Sequence, residues 1–339
     1  MTNKVKKVAV LMGGSSFERA FSLKSGKRIY EALEEGGYKV LALDTTKELV
    51  PTLRSERPDV AFIALHGKHG EDGTIQSLLE FVGIPYVGSN AHTCRSTWNK
   101  DSLHTTMAAY RAAQGSEAIA SWPQGICIAR DAFKSMGAAS ALDLVSERVF
   151  GGFPVAVKPT HGGSALGVHR VDCQEDLGAA ILDALSYDDS VVIEQWIEGC
   201  EMAVSIMGTG EDANVVGIVE ICPKSGIFDT AARMDANAVE YYAPVRDSSL
   251  GKTPEQIAHA KALIEAAALE VYRAYDMHDY GRIDLIWDGN APRVLETATV
   301  PGMTETSLFP AAVKASGMSM AQVLDTLVQN ARLTPWGTN

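Results

Sequence analysis

Short apolar runs alternate with amphipathic stretches in the N-terminal part of the chain. The runs "KKVAVLMGG", "YKVLALD" and "DVAFIALHG" predict three buried strands. "SLKSGKRIYEALEEGG" and "TIQSLLEFVG" have helical spacing, and the glycine that ends the second is a typical helix stop. This alternation predicts an α/β unit in which helices cover both faces of a parallel sheet.

The hydrophobic pattern changes in the middle of the chain. Residues 104–150 are rich in alanine and are predicted to be mostly helical, with an irregular piece at "SWPQGICIARD". Three apolar runs then predict strands, and residues 174–186 predict a helix before the last of them. These strands are "FPVAVKPT", "LGVHRV" and "VVIEQWI".

The last part of the chain is predicted to be α+β. "EMAVSIMG" and "NVVGIVEI" form a predicted hairpin, and the weak periodicity of residues 223–248 predicts a long loop. "TPEQIAHAKALIEAAALEVYRAY" opens with a Thr-Pro start signal and predicts the longest helix, and two short helices should close the chain. A length of 339 residues predicts two or three domains. We expect them at 1–103, 104–198 and 199–339.

Two carboxylates lie in "GRIDLIWDGNAPRVLETATVPGM", where "DGNAP" separates two apolar alternations. The turn signal predicts a β-hairpin that brings Asp284 and Glu296 together. Neighbouring carboxylates repel each other unless a proton or a cation separates them. The hairpin is therefore a candidate metal site.

Composition narrows the possible partners. The net charge is −12, and no basic stretch relieves it, so we expect neither a nucleic-acid partner nor an anionic membrane. No apolar run is long enough for a membrane span, and "VAVLM" near the N-terminus is too short for a signal peptide. The 5 cysteines have no CxxC pair, which predicts reduced thiols in a cytoplasmic protein.

Two motifs have the features of a nucleotide site. In "VAVKPTHGGSALGV", Lys158 ends a predicted strand and precedes a glycine loop with Ser164, an arrangement that could surround phosphate oxygens or be only a hairpin turn. "VIEQWIEGCE" ends a buried strand, where backbone groups could bind adenine and Glu201 could reach ribose, although these residues alone favour a plain strand terminus.

A third motif, "ALHGKHGEDG", places His66 and several charged residues on a loop that follows a strand. Open α/β sheets hold ligands at the carboxyl ends of their strands. Contact with a small molecule is favoured over a two-histidine metal site, because no third ligand lies at helical spacing.

These motifs occur in a recognisable order: "MGGSSFERAFSLKSG", "ALHGKHGEDGTIQSLLE", Lys100, Lys158 with its glycine loop, "EQWIEGCE", "GRID" and "PGMTETSLFP". Over essentially the whole chain, that order resembles the D-alanine–D-alanine ligase family. The resemblance implies an ATP-grasp fold with an N-terminal parallel-sheet domain. It also implies a homodimeric enzyme that uses ATP with Mg²⁺ or Mn²⁺ to join D-alanine, or a similar small D-acid, through an acyl phosphate for peptidoglycan synthesis.

The resemblance also assigns expected roles, residue by residue. The ATP contacts are expected to be Lys100, Lys158, Glu194, Gln195, Trp196, Ile197 and Glu201, and the metal ligands Asp284 and Glu296. The groups expected to take part in catalysis are Glu18, Ser164, Arg282, Gly302 and Ser307. The remaining substrate contacts are expected to be Phe21, His66, Arg233 and Met234.

Several of these positions depart from the family pattern. Ala298 replaces a metal-binding asparagine, and Arg233 with Met234 replaces a lysine–tyrosine pair on a loop. Ala165 replaces a serine, and Phe21 replaces a smaller aliphatic residue. These changes leave open a related ligase with a different second substrate, such as D-lactate or D-serine. They also leave open a degenerate nucleotide-binding protein without catalytic function.

Overall fold

The computed structural model describes residues 6–115, 118–136, 152–224 and 237–333, together with Asp143 and Val145. In this part of the chain the strands form sheets of three, four and five strands.

The first sheet is parallel, as predicted, with the order β2-β1-β3. Alternate residues of β1 point to opposite faces: Val8 and Val10 join one buried core, and Ala9 and Leu11 join another. Both cores are covered by helices, so the predicted α/β unit is confirmed. Its elements are β1 (Lys7–Met12), α1 (Arg19–Glu35), β2 (Lys39–Asp44), α2 (Leu49–Glu56), β3 (Val60–Ile63), α3 (Thr74–Val82) and α4 (Ala91–Trp98).

The second sheet has four antiparallel strands in the order β4-β7-β5-β6. Its edge strand β4 corrects one prediction, because it lies inside "SWPQGICIARD", which was expected to be irregular. The short run Ile126–Ile128 becomes a strand by pairing with β7, a tertiary contact that local pattern does not reveal. The elements are α5 (Ser102–Gln114), β4 (Gly125–Ala129), α6 (Arg130–Met136), β5 (Val155–Pro159), β6 (His169–Val171), α7 (Gln174–Tyr187) and β7 (Ser190–Gln195).

The third sheet has five antiparallel strands in the order β10-β9-β8-β11-β12. The prediction of a loop over 223–248 is wrong in its second half, where β10 pairs with β9 and a short helix α8 follows. The longest helix, α9, begins as predicted at a capping box formed by Thr253 and Gln256. The elements are β8 (Cys200–Met207), β9 (Asn214–Pro223), β10 (Val239–Tyr242), α8 (Asp247–Leu250), α9 (Pro254–Ala274), β11 (Tyr280–Trp287), β12 (Pro292–Ala298), α10 (Leu308–Ala315) and α11 (Met320–Asn330).

The helices connect the three sheets. From the C-terminal helices, Phe309 and Leu327 pack into the core of the first sheet. From α5, Leu103 and Met107 pack into the core beneath the third sheet. Each sheet falls within one predicted domain range, but these helices cross the ranges, so the exact boundaries stay a prediction. None of the helices in the described residues could span a bilayer, being too short or too polar.

Candidate active site

The larger cavity of the site has a volume of about 510 Å³ and is lined by strands of the second and third sheets. The segment that joins these sheets, from Glu194 to Glu201, contributes every one of its residues to the wall. Four strands supply further charged side chains: Lys158 comes from β5, Glu220 from β9, Asp284 from β11 and Glu296 from β12. The cavity therefore has a mainly apolar wall that carries several charged groups.

Two lysines, Lys100 and Lys158, line this larger cavity. Lys158 Nζ is 2.6 Å from a Glu194 carboxylate oxygen, and both side chains are buried. Lys100 Nζ donates to the Gly162 carbonyl at 2.7 Å and lies 3.5 Å from Glu296 Oε2. Burial lowers the pKa of Lys100, and the Glu296 carboxylate partly opposes that shift. The lysines thus offer positive charge beside the glycine loop.

The predicted hairpin of β11 and β12 is confirmed, and Asp284 lies directly opposite Glu296. A bulge follows this pair, so that Leu295 also reaches the cavity wall. Ala298 lies opposite Arg282, two residues from Glu296, and so position 298 shares the face of the two acids. The replacement of the family's asparagine by Ala298 therefore lies on the face of the hairpin that carries Asp284 and Glu296.

Arg282 and Asp284 form one buried ion pair, although the sequence suggested separate roles for them. The guanidinium donates two hydrogen bonds to the carboxylate, at 2.6 and 2.7 Å. Burial alone would lower the pKa of Arg282, but the charge and hydrogen bonds of Asp284 outweigh it and raise that pKa above its usual range. Arg282 therefore stays cationic at the hairpin.

The donor chemistry of the hairpin suits a hard cation. Asp284 and Glu296 supply carboxylate oxygens on one face, and Mg²⁺ commonly takes one or two carboxylates and fills its other positions with phosphate oxygens and water. Within the described residues, no group of three or more His, Cys, Asp or Glu side chains is arranged to hold a metal by itself. The site therefore fits a cation that is bound together with a phosphate.

A second, smaller cavity of about 40 Å³ adjoins the first. Lys100, Arg282 and Glu296 line both cavities. The small cavity is otherwise lined by loops and helix ends of the first-sheet unit, by the glycine loop, and by the end of β12 with the segment that follows it. Of the predicted site residues, it gathers Glu18, Phe21, His66, Ser164 and Gly302.

Ser164 connects the glycine loop to the small cavity. Its hydroxyl donates a short hydrogen bond to the Glu18 carboxylate. His66 is fixed nearby, with Nε2 3.0 Å from Ser25 Oγ and Nδ1 3.6 Å from a Glu71 carboxylate oxygen. The cavity therefore brings the Glu18 and Glu71 carboxylates together with the His66 imidazole.

Phe21 and Gly302 form the narrow wall of the small cavity. The Phe21 ring lies 4.9 Å from the His66 ring, centroid to centroid. A Cβ atom at Gly302 would lie 2.6 Å from Phe21 Cζ and 2.8 Å from Ser307 Oγ, so only glycine fits there. Ser307 precedes α10, and its hydroxyl shares a hydrogen bond of 2.7 Å with Thr304. These contacts leave little room beside Phe21.

Two predicted substrate contacts, Arg233 and Met234, lie outside the described residues. Every other predicted site residue lines one of the cavities or, like Ser307, touches the wall of the smaller one.

Glu220 is a wall residue that the sequence reasoning missed. Burial alone would raise the pKa of Glu220, but hydrogen bonds from Arg246 and Ser249 outweigh this and lower it to about 2. Burial and the Glu220 carboxylate raise the pKa of Cys200 to about 12 and that of Cys222 to about 11. All 5 cysteines are free thiols. The one available signal was a glutamate within the apolar run "NVVGIVEI".

Comparison with known proteins identifies the family. The family model described as D-ala D-ala ligase C-terminus matches residues 128–329, and the model described as D-ala D-ala ligase N-terminus matches residues 51–89. A D-alanine–D-alanine ligase of Desulforudis audaxviator strain MP104C is 34% identical over 97% of this chain and 99% of its own. One of Anaeromyxobacter dehalogenans strain 2CP-C is 36% identical over 97% of each chain.

Solved structures agree with this assignment. The crystal structure of D-alanine–D-alanine ligase from Bacillus anthracis complexed with ATP has a TM-score of 0.72 and 26% identity, covering 96% of this chain and 97% of that one. The VanG D-Ala:D-Ser ligase of Enterococcus faecalis, at 24% identity and a TM-score of 0.74, shares the fold. The expected ATP-grasp fold is thus confirmed, and the chain belongs to the D-alanine–D-alanine ligase family of ATP-dependent ligases.

Proposed function

We propose that this protein joins two D-alanines in an ATP- and Mg²⁺-dependent reaction that supplies the dipeptide for peptidoglycan precursors. The observation that carries the proposal is the continuity of the two cavities, since Lys100, Arg282 and Glu296 line both. A nucleotide in the larger cavity would present its terminal phosphate at the mouth of the smaller one. A carboxylate held in the smaller cavity would then lie in line for phosphoryl transfer.

The larger cavity is proposed to bind ATP. Lys100 and Lys158 would bind phosphate oxygens, because both ammonium groups lie beside the glycine loop. The segment Glu194–Ile197 would bind adenine, and Glu201 would bind the ribose hydroxyls, since this linker forms one wall of the cavity.

Asp284 and Glu296 would hold Mg²⁺, or Mn²⁺ in its place. When bound, the metal would supply positive charge to the phosphate oxygens of ATP. Asp284 would keep its two hydrogen bonds from Arg282 and use its remaining lone pairs for the cation. Ala298 supplies no oxygen, so water would complete the coordination, and a weaker second metal is expected.

The smaller cavity is proposed to bind the first D-alanine. Glu18, oriented by Ser164, would accept hydrogen bonds from its ammonium group. His66 would contact its carboxyl end, and Phe21 would pack against its methyl group. Because the cavity is narrow at Phe21, only a small side chain would fit.

The reaction would proceed in two steps. ATP would transfer its γ-phosphoryl group to the carboxylate of the first D-alanine and leave as ADP. The amine of the second D-alanine would attack the acyl carbon, lose a proton and expel phosphate. Arg282 and the Gly302 amide would stabilise the oxyanion, and Ser307 would contact the carboxylate of the second substrate.

Arg233 and Met234 are proposed to contact substrate from the segment that precedes β10. Arg233 would retain a positive charge near the phosphates. Met234 cannot donate the hydrogen bond that a tyrosine would give to Ser164, so we expect weak D-alanine binding and some ester formation with D-lactate.

The test is phosphate release from ATP, with product identification, against D-alanine, D-serine, D-lactate and L-alanine. We expect release that depends on D-alanine, stops on chelation and yields D-alanyl-D-alanine. A different acyl acceptor in the product would identify a related ligase. Phosphate release that ignores every added acid would refute the ligase proposal.

We further propose that the enzyme is a cytoplasmic homodimer that binds no nucleic acid. The net charge of −12 supports the last point, since a nucleic-acid partner would be repelled. Sedimentation equilibrium tests the dimer directly: a single species with the mass of one chain would refute it.

A further inference from the structure

An aromatic contact lies just outside the small cavity and joins two parts of the fold. Phe17 precedes α1 of the first-sheet unit, and Tyr187 ends α7, which packs on the second sheet. Their ring centroids are 6.0 Å apart in an edge-to-face arrangement at 71°. Phe17 is 84% exposed with this contact in place, so the tyrosine covers only one edge of its ring.

Tyr187 also touches the glycine loop. Gly167, near the end of that loop, has a φ of +68°, and a Cβ atom there would lie 2.8 Å from Tyr187 Cδ2 and 3.0 Å from Pro159 Cγ. The tyrosine ring therefore lies directly against the loop backbone. A single ring thus contacts both Phe17 and the phosphate-binding segment.

The glycine loop has an unusual conformation at its centre. Ser164 and Ala165 have φ values of +57° and +55°, a left-handed region that residues with a Cβ seldom adopt. Such a conformation persists only when surrounding contacts hold it. Ser164 is held by its hydrogen bond to Glu18, and the end of the loop is held by Tyr187.

Phe17 and Glu18 are consecutive, so their short segment contacts the glycine loop in two ways. Glu18 accepts the hydrogen bond from Ser164, and Phe17 touches Tyr187, which lies against the end of the loop. We propose that Phe17 and Tyr187 are positioning residues that clamp the glycine loop against Glu18. The clamp couples binding of the first amino acid to closure of the loop over the phosphates of ATP. This inference rests on the proposed function, because it takes Glu18 as the ammonium-binding acid.

The clamp has a specific kinetic consequence. If it is lost, the loop samples open positions, the Glu18–Ser164 contact weakens and water reaches the acyl phosphate. The KM for D-alanine should rise, and more than one phosphate should be released per dipeptide. The KM for ATP should change little, because the proposed adenine and ribose contacts lie on Glu194–Glu201.

The test compares Phe17→Ala with Phe81→Ala, a matched control that removes an 85% exposed phenyl ring from α3 of the same unit. For Phe17→Ala we expect the KM for D-alanine to rise about threefold to tenfold. This is the change expected when the stabilisation from one edge-to-face aromatic pair is lost. The ratio of phosphate to dipeptide should also exceed that of wild type. Phe81→Ala and Tyr187→Phe, which keeps the ring, should match wild type in both measurements.

A double variant separates the clamp from general destabilisation. Tyr187→Ala removes the partner of Phe17, so adding Phe17→Ala should produce no further rise in the KM for D-alanine. If the two changes multiply, or if Phe17→Ala behaves like Phe81→Ala, the clamp is refuted while the ligase activity of wild type stands. A wild type that forms no dipeptide would instead refute the proposed function.

Discussion

The two cavities of the site are built from different kinds of structure. The walls of the larger cavity come mainly from strands of two sheets and the linker between them, whereas the smaller one is formed mostly by loops that converge from distant parts of the chain. Strands fix the direction of a side chain by alternation, but loops fix it only through tertiary contacts. The sheets should therefore hold the side chains of the nucleotide half in place, whereas the positions of side chains in the amino-acid half should depend on single contacts between loops.

Glu296→Gln should have the largest effect, because Glu296 borders both halves. The change keeps the shape of the side chain but removes the charge that would bind the cation and that faces Lys100 at 3.5 Å. We expect kcat to fall by about a hundredfold to a thousandfold. Glu265→Gln, the same change at a half-exposed position of α9, is the control in the turnover assay. Turnover within threefold of wild type would mean that Glu296 is not a metal ligand.

Lys158→Met should affect the nucleotide half selectively. The change removes a cation and leaves the buried Glu194 carboxylate without its partner at 2.6 Å. The KM for ATP should rise by roughly tenfold to a hundredfold, with a much smaller change in the KM for D-alanine. Initial rates measured with each substrate varied in turn test this. A larger rise for D-alanine would contradict the division between the two cavities.

Phe21→Val should affect the amino-acid half in the same selective manner. The smaller side chain opens the narrow wall beside Gly302 and should admit D-2-aminobutyrate as the first substrate. We expect the ratio of kcat/KM for D-2-aminobutyrate to that for D-alanine to rise about tenfold. The KM for ATP should stay constant, and Phe81→Val on α3 provides the control. An unchanged ratio would show that Phe21 does not limit substrate size.

Ala298→Asn should have the smallest effect, since it adds one neutral oxygen to a site that carboxylates already supply. The Mg²⁺ concentration for half-maximal rate should fall by about threefold. Ala298→Val adds bulk without an oxygen and should not lower it. The titration of rate against free Mg²⁺ at saturating ATP measures both variants. Equal Mg²⁺ dependence in Ala298→Asn and wild type would show that position 298 does not reach the cation.

Local pattern located most of the strands and several of the helices. The apolar run of β1 and the turn of the β11–β12 hairpin are local signals, and both predictions were confirmed. The strands β4 and β10 were missed because they are short edge strands of five and four residues. Their conformation depends on a neighbouring strand more than on their own residues.

The sequence by itself determined the family, the parallel first sheet, the β11–β12 hairpin and the chemistry of the motifs, because residue types at fixed spacing record these directly. It could not show that Arg282 binds Asp284, that Glu220 lies in the nucleotide wall, or that Phe17 meets Tyr187 across 170 positions of chain. Those contacts join segments distant in sequence or depend on which rotamer packing allows. Only the tertiary structure decided them, because burial and charge are set by neighbours that the chain brings together on folding.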